Sequence, residues 1–123
     1  MKTLAPIFLS LALTVSPIAE ASDPWTPEEV HYAQAYGTLL AIDLLQTRWI
    51  ATHPTERKES NPVLGPYPSI GRVNGYFGVV ALGSLWLADV SPSEYRLPLL
   101  KGLTALEIVV TSRNAKLGIG FQF

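Results

Sequence analysis

Residues 70–90 read IGRVNGYFGVVALGSLWLADV, and this stretch decides the fold class. From Val73 to Ala88 it contains no charged residue. A helix needs about 20 mainly apolar residues to cross the hydrocarbon core of a bilayer, and this stretch is long enough. Ser69 precedes it as a helix N-cap. The sequence therefore predicts a membrane-spanning helix at about 70–90.

A second helix is predicted at about 27–52, on the N-terminal side. Thr26 can cap it, a proline occupies the first helical position, and Glu29 completes a capping box. Its apolar run is interrupted by Asp43 and by three polar residues at 46–48. As a membrane span this helix is therefore marginal by hydropathy.

The third helix is predicted at about 98–113, on the C-terminal side, where Pro98 can open it. The turn before it reads Ser91-Pro92-Ser93-Glu94, and Asn114 is a suitable stop. Together these elements predict an all-α fold, in which a signal peptide is followed by three antiparallel membrane helices.

The first 21 residues are predicted to be a signal peptide. Lys2 supplies a positive charge, Leu4 to Val15 form an apolar run, and residues 19–21, Ala-Glu-Ala, form a small-x-small cleavage site. The apolar run is short for a membrane span. Cleavage leaves one domain, residues 22–123, and an uncleaved signal anchor is the alternative.

The composition favours a lipid or oligomeric environment. Hydrophobic residues make up 48% of the 123 residues and charged residues 15%, against about 25% charged in soluble domains. The net charge of -1 gives no support for nucleic-acid binding. The chain has no cysteine, and His31 and His53 lie too far apart along one helix to share a metal ion. We therefore predict no metal site, and no cofactor, since nucleotide-binding motifs are also absent from the sequence.

The distribution of lysine and arginine predicts an orientation in the bacterial inner membrane. The segment before the first helix is acidic, whereas the first loop with its flanks and the C-terminal region contain Arg48, Arg57, Lys58, Arg72, Arg113 and Lys116. Lysine and arginine mark the cytoplasmic side of a membrane protein. We expect a periplasmic mature N-terminus and a cytoplasmic C-terminus. A soluble three-helix bundle in the periplasm is the alternative.

Polar residues within the apolar helices are candidate functional residues. Asp43, Gln46 and Thr47 share one helical face, and Asn74 and Glu107 can meet this face from the other two helices. An ionised carboxylate in lipid is costly and usually faces a partner or a functional pathway. The residues form either a small polar site for a proton, cation or lipid head group, or a hydrogen-bond network that fixes helix packing.

The loop at 53–69 is rich in proline, which indicates a rigid, turn-rich connection. It contains Glu59-Ser60-Asn61-Pro62, just before the second predicted span. An Asn-Pro turn can direct Glu59 and Asn61 toward the helix ends. The motif is either a structural turn or a partner-binding or catalytic loop.

Three functions are compatible with these features. Gly71, Gly75 and Gly78 share a helical face at a spacing that allows close packing, which favours an interaction or accessory protein that contacts membrane lipid, a larger membrane protein or a second copy. The first alternative is a membrane-embedded enzyme or an ion or proton site that uses Asp43, Glu59 and Glu107. The second is a soluble periplasmic module that binds a partner through its apolar faces. We assign no catalytic residue, because the sequence contains no catalytic motif, and this favours a function other than catalysis.

A motif pattern in the middle of the chain resembles that of a known group of proteins. The pattern Asp43-x-x-Gln46-Thr47-Arg48-x-Ile50 is followed by Glu59-x-Asn61-Pro62-x-Leu64-Gly65-x-x-Pro68 and then by Arg72-Val73-Asn74-x-Tyr76-Phe77. It resembles a group of small exported or inner-membrane proteins of Gram-negative bacteria and their phages, which have no assigned activity. The resemblance covers residues 43–77 and extends more loosely into the third helix. It implies a helical membrane fold and no particular activity.

Overall fold

A computed structural model describes residues 23–123, which form three α-helices joined by a proline-rich loop and a tight turn. Helix α1 spans Pro27–Thr52, α2 spans Ile70–Val90 and α3 spans Ser93–Lys116. Within this described part of the chain there is no strand, so the predicted all-helical class with three helices is confirmed. The predicted signal peptide, residues 1–21, lies outside the described residues.

The first two helices begin where their caps predict. The Thr26 hydroxyl accepts a hydrogen bond from the Glu29 backbone N–H at 3.2 Å, and the Glu29 carboxylate accepts one from the Thr26 N–H at 3.2 Å. The Ser69 hydroxyl accepts from the Arg72 N–H at 3.1 Å. Both caps bind N–H groups that have no partner within the first turn of a helix.

The third helix is longer than the sequence predicted, since it begins at Ser93 rather than at Pro98 and runs to 116 rather than 113. A proline inside a helix removes one hydrogen bond to the carbonyl four residues earlier. Tertiary contacts outweigh this loss. Arg96, in the same turn, is fully buried and donates to the backbone carbonyls of Ala88 and Asp89 at 3.0 and 3.2 Å.

Helix α1 is the central element of the fold. It packs most extensively against α3 and less against α2, while α2 and α3 touch only slightly. The small apolar core contains Tyr36 and Leu40 of α1, Val73 and Phe77 of α2, and Leu64 of the loop. Because Leu64 is only 2% exposed, the loop must fold back onto the helices rather than extend away from them.

The bundle carries many polar side chains inside and many apolar ones outside. Leu100 is accompanied on the buried face of α3 by four polar or charged residues, Arg96, Thr104, Glu107 and Thr111. Large apolar side chains point outward from α2 and α3, among them Val79, Leu82, Trp86, Leu106 and Val109. A helical bundle in water usually has fewer charged side chains inside and fewer large apolar ones outside.

A buried ion pair joins the start of α1 to the start of α3. Arg96 Nη1 lies 3.2 Å from Glu29 Oε2, and the Arg96 guanidinium lies 5.1 Å from the centre of the Trp25 ring. Trp25 in turn donates from its indole nitrogen to Asp89 Oδ1 at 2.7 Å. These contacts close the end of the bundle that lies away from the proline-rich loop.

The C-terminal residues 117–123 return along α1. The Gln122 backbone N–H donates to the Leu45 carbonyl at 3.0 Å, and the Gln122 carbonyl accepts from Arg48 Nε at 3.1 Å. Gly120 lies so close to Trp49 that an added Cβ would come 2.9 Å from the indole nitrogen. The tail is therefore a packed part of the fold.

Candidate functional site

Three acidic residues from three different segments converge on one pocket. Asp43 of α1, Glu107 of α3 and Glu59 of the α1–α2 loop all line a partly open cavity of about 290 Å³. Tyr76 and Phe77 of α2 line it as well, and their rings meet edge to face with centroids 5.2 Å apart. We call this cavity the acidic pocket.

The polar face predicted on α1 is buried, and its residues divide between two roles. Asp43 and Thr47 line the acidic pocket, where Thr47 Oγ1 donates to Asp43 Oδ1 at 3.3 Å. Gln46 instead joins α1 to α3, since its Nε2 donates to the Thr111 carbonyl and its Oε1 accepts from Asn114 Nδ2, both at 3.1 Å. Gln46 therefore fixes helix packing, whereas Asp43 faces the cavity.

Glu107 is a buried carboxyl group that forms no ion pair with any of the described residues. It is 8% exposed, and among the described residues none donates a hydrogen bond to its Oε2. The carboxyl groups of Asp43 and Glu107 both lie at the same acidic pocket. Two ionised carboxylates repel each other strongly in buried surroundings, and a proton or cation between them removes that repulsion.

The turn at 59–62 brings Glu59 to the acidic pocket. Glu59 Oε1 accepts a hydrogen bond from the Asn61 backbone N–H at 2.9 Å, and Asn61 Oδ1 accepts from the N–H two residues later at 2.9 Å. Pro62 occupies the exposed tip of this turn, and Gly65 has a φ of 80°, which lets the chain reverse toward α2. Glu59 Oε2 is buried and has no hydrogen-bond partner within residues 23–123. The turn thus supplies a wall of the pocket.

Asn74 and the three predicted glycines lie outside the acidic pocket. Asn74 is on the outer surface, because the inward positions of its turn are filled by apolar neighbours, and its Oδ1 accepts from Arg48 Nη1 at 2.8 Å. Gly71, Gly75 and Gly78 are exposed, and a Cβ added at each meets nothing within 4 Å. These glycines make no close helix contact within the described chain. Their close packing against another molecule stays a prediction.

Sequence reasoning did not assign Ser60, Tyr76 or Asn114 to the site, although all three line the acidic pocket. Asn114 follows Glu107 by seven residues, which places it on the same helical face two turns later, and this spacing could have identified it. Ser60 and Tyr76 reach the pocket because the loop folds back onto α2. The Asn-Pro turn indicates that the loop reverses, but which side chains then reach the pocket depends on tertiary packing.

The walls of the acidic pocket determine which positive charge it can hold. Within the described residues, no group of three or more histidine, aspartate or glutamate side chains is placed to hold a metal ion, so the three acids do not form a metal cluster. A proton can be shared by two carboxyl groups, and an ammonium group can donate to carboxylates while lying against aromatic rings. The pocket therefore suits a proton or a small organic cation.

Comparison of the chain with family models, with curated proteins and with solved structures finds no match. The chemistry of the site is therefore the basis for the function proposed below.

Proposed function

We propose that this chain is a small inner-membrane protein with three transmembrane helices, whose acidic pocket takes up a proton or a small organic cation. The observation that carries the proposal is the convergence of Asp43, Glu59 and Glu107 from three segments. Glu59 and Glu107 each retain a buried carboxylate oxygen without a partner in the described part of the molecule. Such groups are costly in apolar surroundings unless a positive charge or a donor accompanies them.

The distribution of polarity supports three membrane spans. By length and hydropathy alone, α2 is the one helix of residues 23–123 that meets the criterion for a membrane span. Helices α1 and α3 contain more charge, but Asp43 and Glu107, which lower their hydropathy near the middle, face inward. Leu82 and Val109, which are 76% and 64% exposed, face outward. Lipid favours this arrangement, because intramembrane acids turn toward the bundle interior while apolar side chains contact acyl chains.

The charges at the two ends of the bundle support the proposed orientation. The end formed by the proline-rich loop and the C-terminal part of α3 holds Arg48, Arg57, Lys58, Arg72, Arg113 and Lys116. At the other end, Arg96 pairs with Glu29 and Lys101 pairs with Glu28 at 3.8 Å, so acids accompany both cations. The positive-inside rule then puts the mature N-terminus in the periplasm and the C-terminus in the cytoplasm.

The position of the acidic pocket suggests its route of access. Glu59, Ser60 and Asn61 of the proline-rich loop form one wall, so the pocket lies in the half of the bundle nearest this loop. In the proposed orientation that half faces the cytoplasm. A proton or cation then enters from the cytoplasmic side and reaches Asp43 and Glu107 in the interior.

Alkaline carbonate extraction of a C-terminally tagged protein from bacterial membranes tests the membrane part of the proposal. We expect the protein to stay in the membrane pellet, with a mass that shows cleavage after Ala21. Release as a soluble monomer without detergent would contradict this and favour the alternative of a soluble periplasmic helical module.

Infrared difference spectroscopy of the reconstituted protein between acidic and alkaline pH tests the pocket. Buried protonated carboxyl groups give carbonyl bands, and we expect Asp43→Asn and Glu107→Gln each to remove part of this signal. In the wild type, ethylammonium chloride should shift the carbonyl bands of the protonated carboxyl groups, whereas the same concentration of sodium chloride should not. Glu56→Gln is the matched control, because Glu56 is an exposed acid of the proline-rich loop that does not line the acidic pocket. Identical spectra for all four proteins would rule out the pocket as a site.

An interaction or accessory role is the second candidate function. Its support is the exposed glycine face of α2, where Gly71, Gly75 and Gly78 leave open space for another helix. The partner is a larger membrane protein or a second copy of the chain. Site-specific crosslinking from a cysteine introduced at Gly75 identifies it, and crosslinks to lipid alone would exclude this role.

A further inference from the structure

A second cavity, of about 480 Å³, runs along the outer surface between α1 and α2. Leu40 and Phe77 line both this cavity and the acidic pocket, so their side chains separate the two. The second cavity is otherwise lined mostly by small or aliphatic residues, among them Gly37, Ala41, Leu44, Gly78, Ala81 and Leu85. We call it the α1–α2 groove.

Two polar contacts between the helices frame the α1–α2 groove. Arg48 Nη1 donates to Asn74 Oδ1 at 2.8 Å at one end, and the Tyr36 hydroxyl donates to Ser84 Oγ at 2.8 Å near the other. Between these contacts the facing residues are too small to fill the space between the helices. The groove is therefore a fixed feature of the α1–α2 interface, and its lining is apolar apart from the end at Arg48 and Asn74.

The length of the groove matches the depth of one leaflet. Gly37 and Arg48 are eleven residues apart on α1, and Asn74 and Leu85 are eleven apart on α2. At a rise of about 1.5 Å per residue, both edges are roughly 16 Å long. The hydrocarbon core of a bilayer is about 30 Å thick, so one leaflet contributes roughly 15 Å. An acyl chain that starts at Arg48 can thus lie along the groove over about the depth of one leaflet.

Arg48 gives the polar end of the groove a positive charge and, within residues 23–123, hydrogen-bond donors that have no partner. Its Nε donates to the Gln122 carbonyl and its Nη1 to Asn74, so these two contacts hold the guanidinium in place. A guanidinium has five N–H groups, and the two contacts use two of them. A phosphate diester is a suitable acceptor for the remaining ones, because charge-assisted bonds from arginine to phosphate are strong.

We propose that the α1–α2 groove holds one acyl chain of an anionic phospholipid, whose phosphate binds Arg48. The groove matches an acyl chain in polarity and length, and the positive charge of Arg48 complements the negative charge of the head group. Basic residues at the cytoplasmic surface attract anionic lipid, in agreement with the orientation proposed above. The inference rests on the membrane insertion of the proposed function, but it is independent of the acidic pocket.

Native mass spectrometry of the detergent-solubilised full chain tests this, with phosphatidylglycerol and phosphatidylethanolamine of identical acyl chains as probes. We expect one phosphatidylglycerol to be retained in preference to phosphatidylethanolamine. Arg48→Gln should weaken phosphatidylglycerol binding about fivefold and remove the preference. Gly78→Leu should fill the groove and abolish retention of both lipids. Gly83→Leu is the matched control, since Gly83 is an exposed glycine of α2 outside the groove.

The possible outcomes distinguish a lipid site from dimerisation through the groove and from a failure of membrane insertion. Equal retention of the two lipids, or retention that survives Gly78→Leu, would refute it. A dimer peak that Gly78→Leu removes would assign the groove to a second copy and would also refute it. Circular dichroism of each variant confirms that the helices are intact. Membrane insertion is read separately by carbonate extraction, so a protein that inserts but shows no lipid preference contradicts only the lipid site.

Discussion

Two pairs of buried charged residues differ in how they are compensated. The Arg96 guanidinium is fully buried, yet it donates to Glu29 and to backbone carbonyls of Ala88 and Asp89. The carboxyl groups of Asp43 and Glu107 line one pocket, and within residues 23–123 neither forms an ion pair with a basic side chain. The first arrangement is complete and therefore structural. The second needs a proton or a ligand to complete it, and this distinguishes a candidate site from a stabilising contact.

We predict that Arg96→Met destabilises the fold, because it leaves Glu29 Oε2 and three backbone carbonyl groups without this donor. Removing one partner of a buried ion pair typically costs about 3–5 kcal/mol of the free energy of unfolding. The double variant Glu29→Leu with Arg96→Met should recover much of this loss, since no uncompensated charge remains. Thermal unfolding in detergent, followed by circular dichroism, measures both. Equal stability of Arg96→Met and wild type would show that the ion pair is not a structural element.

At the scale of the elements, local sequence rules predicted the helices better than the segments between them. Thr26 and Ser69 are capping residues with local partners, so the starts of α1 and α2 could be predicted from a few neighbouring residues. The start of α3 was predicted five residues late at Pro98, although Ser91-Pro92-Ser93-Glu94 repeats the cap-proline-glutamate pattern at the observed start. The packing of residues 117–123 along α1 is a tertiary contact.

We predict that Gly120→Ala loosens the C-terminal tail from α1. An added Cβ comes 2.9 Å from Trp49 Nε1, so either the indole ring or the tail must move. Overpacking of this kind costs about 1–3 kcal/mol, and the loss should be accompanied by faster amide exchange at Gln122. The control is Gly102→Ala, in open space on α3, which should raise stability by about 0.5–1 kcal/mol because alanine favours a helix. Unchanged exchange at Gln122 in Gly120→Ala would contradict the packed tail.

At the scale of the whole molecule, the sequence indicated which residues are candidates for the site but not how they meet. The apolar context of Asp43 and Glu107 marks them as unusual, and helical spacing links Asp43 to Thr47. The Asn-Pro turn predicted that Glu59 points toward the helix ends, but its place in the acidic pocket also requires Leu64 to pack into the core, which is a long-range contact. The side of α2 that turns inward also depends on packing, which is why Asn74 lies on the outer surface.

The outward apolar surface yields the prediction that best separates a membrane bundle from a soluble one. Leu82 is 76% exposed in the middle of α2. In lipid, Leu82→Arg places a charge near the bilayer centre, which costs about 2.5–3.5 kcal/mol of insertion free energy, so less protein should remain in the pellet after carbonate extraction. Val63→Arg, at an exposed loop position, should have no such effect. In a soluble bundle, Leu82→Arg instead replaces an exposed apolar group by a charged one and should raise the yield of monomer. A loss of protein from the pellet therefore indicates that the outer surface contacts lipid, and a higher yield of monomer indicates that it contacts water.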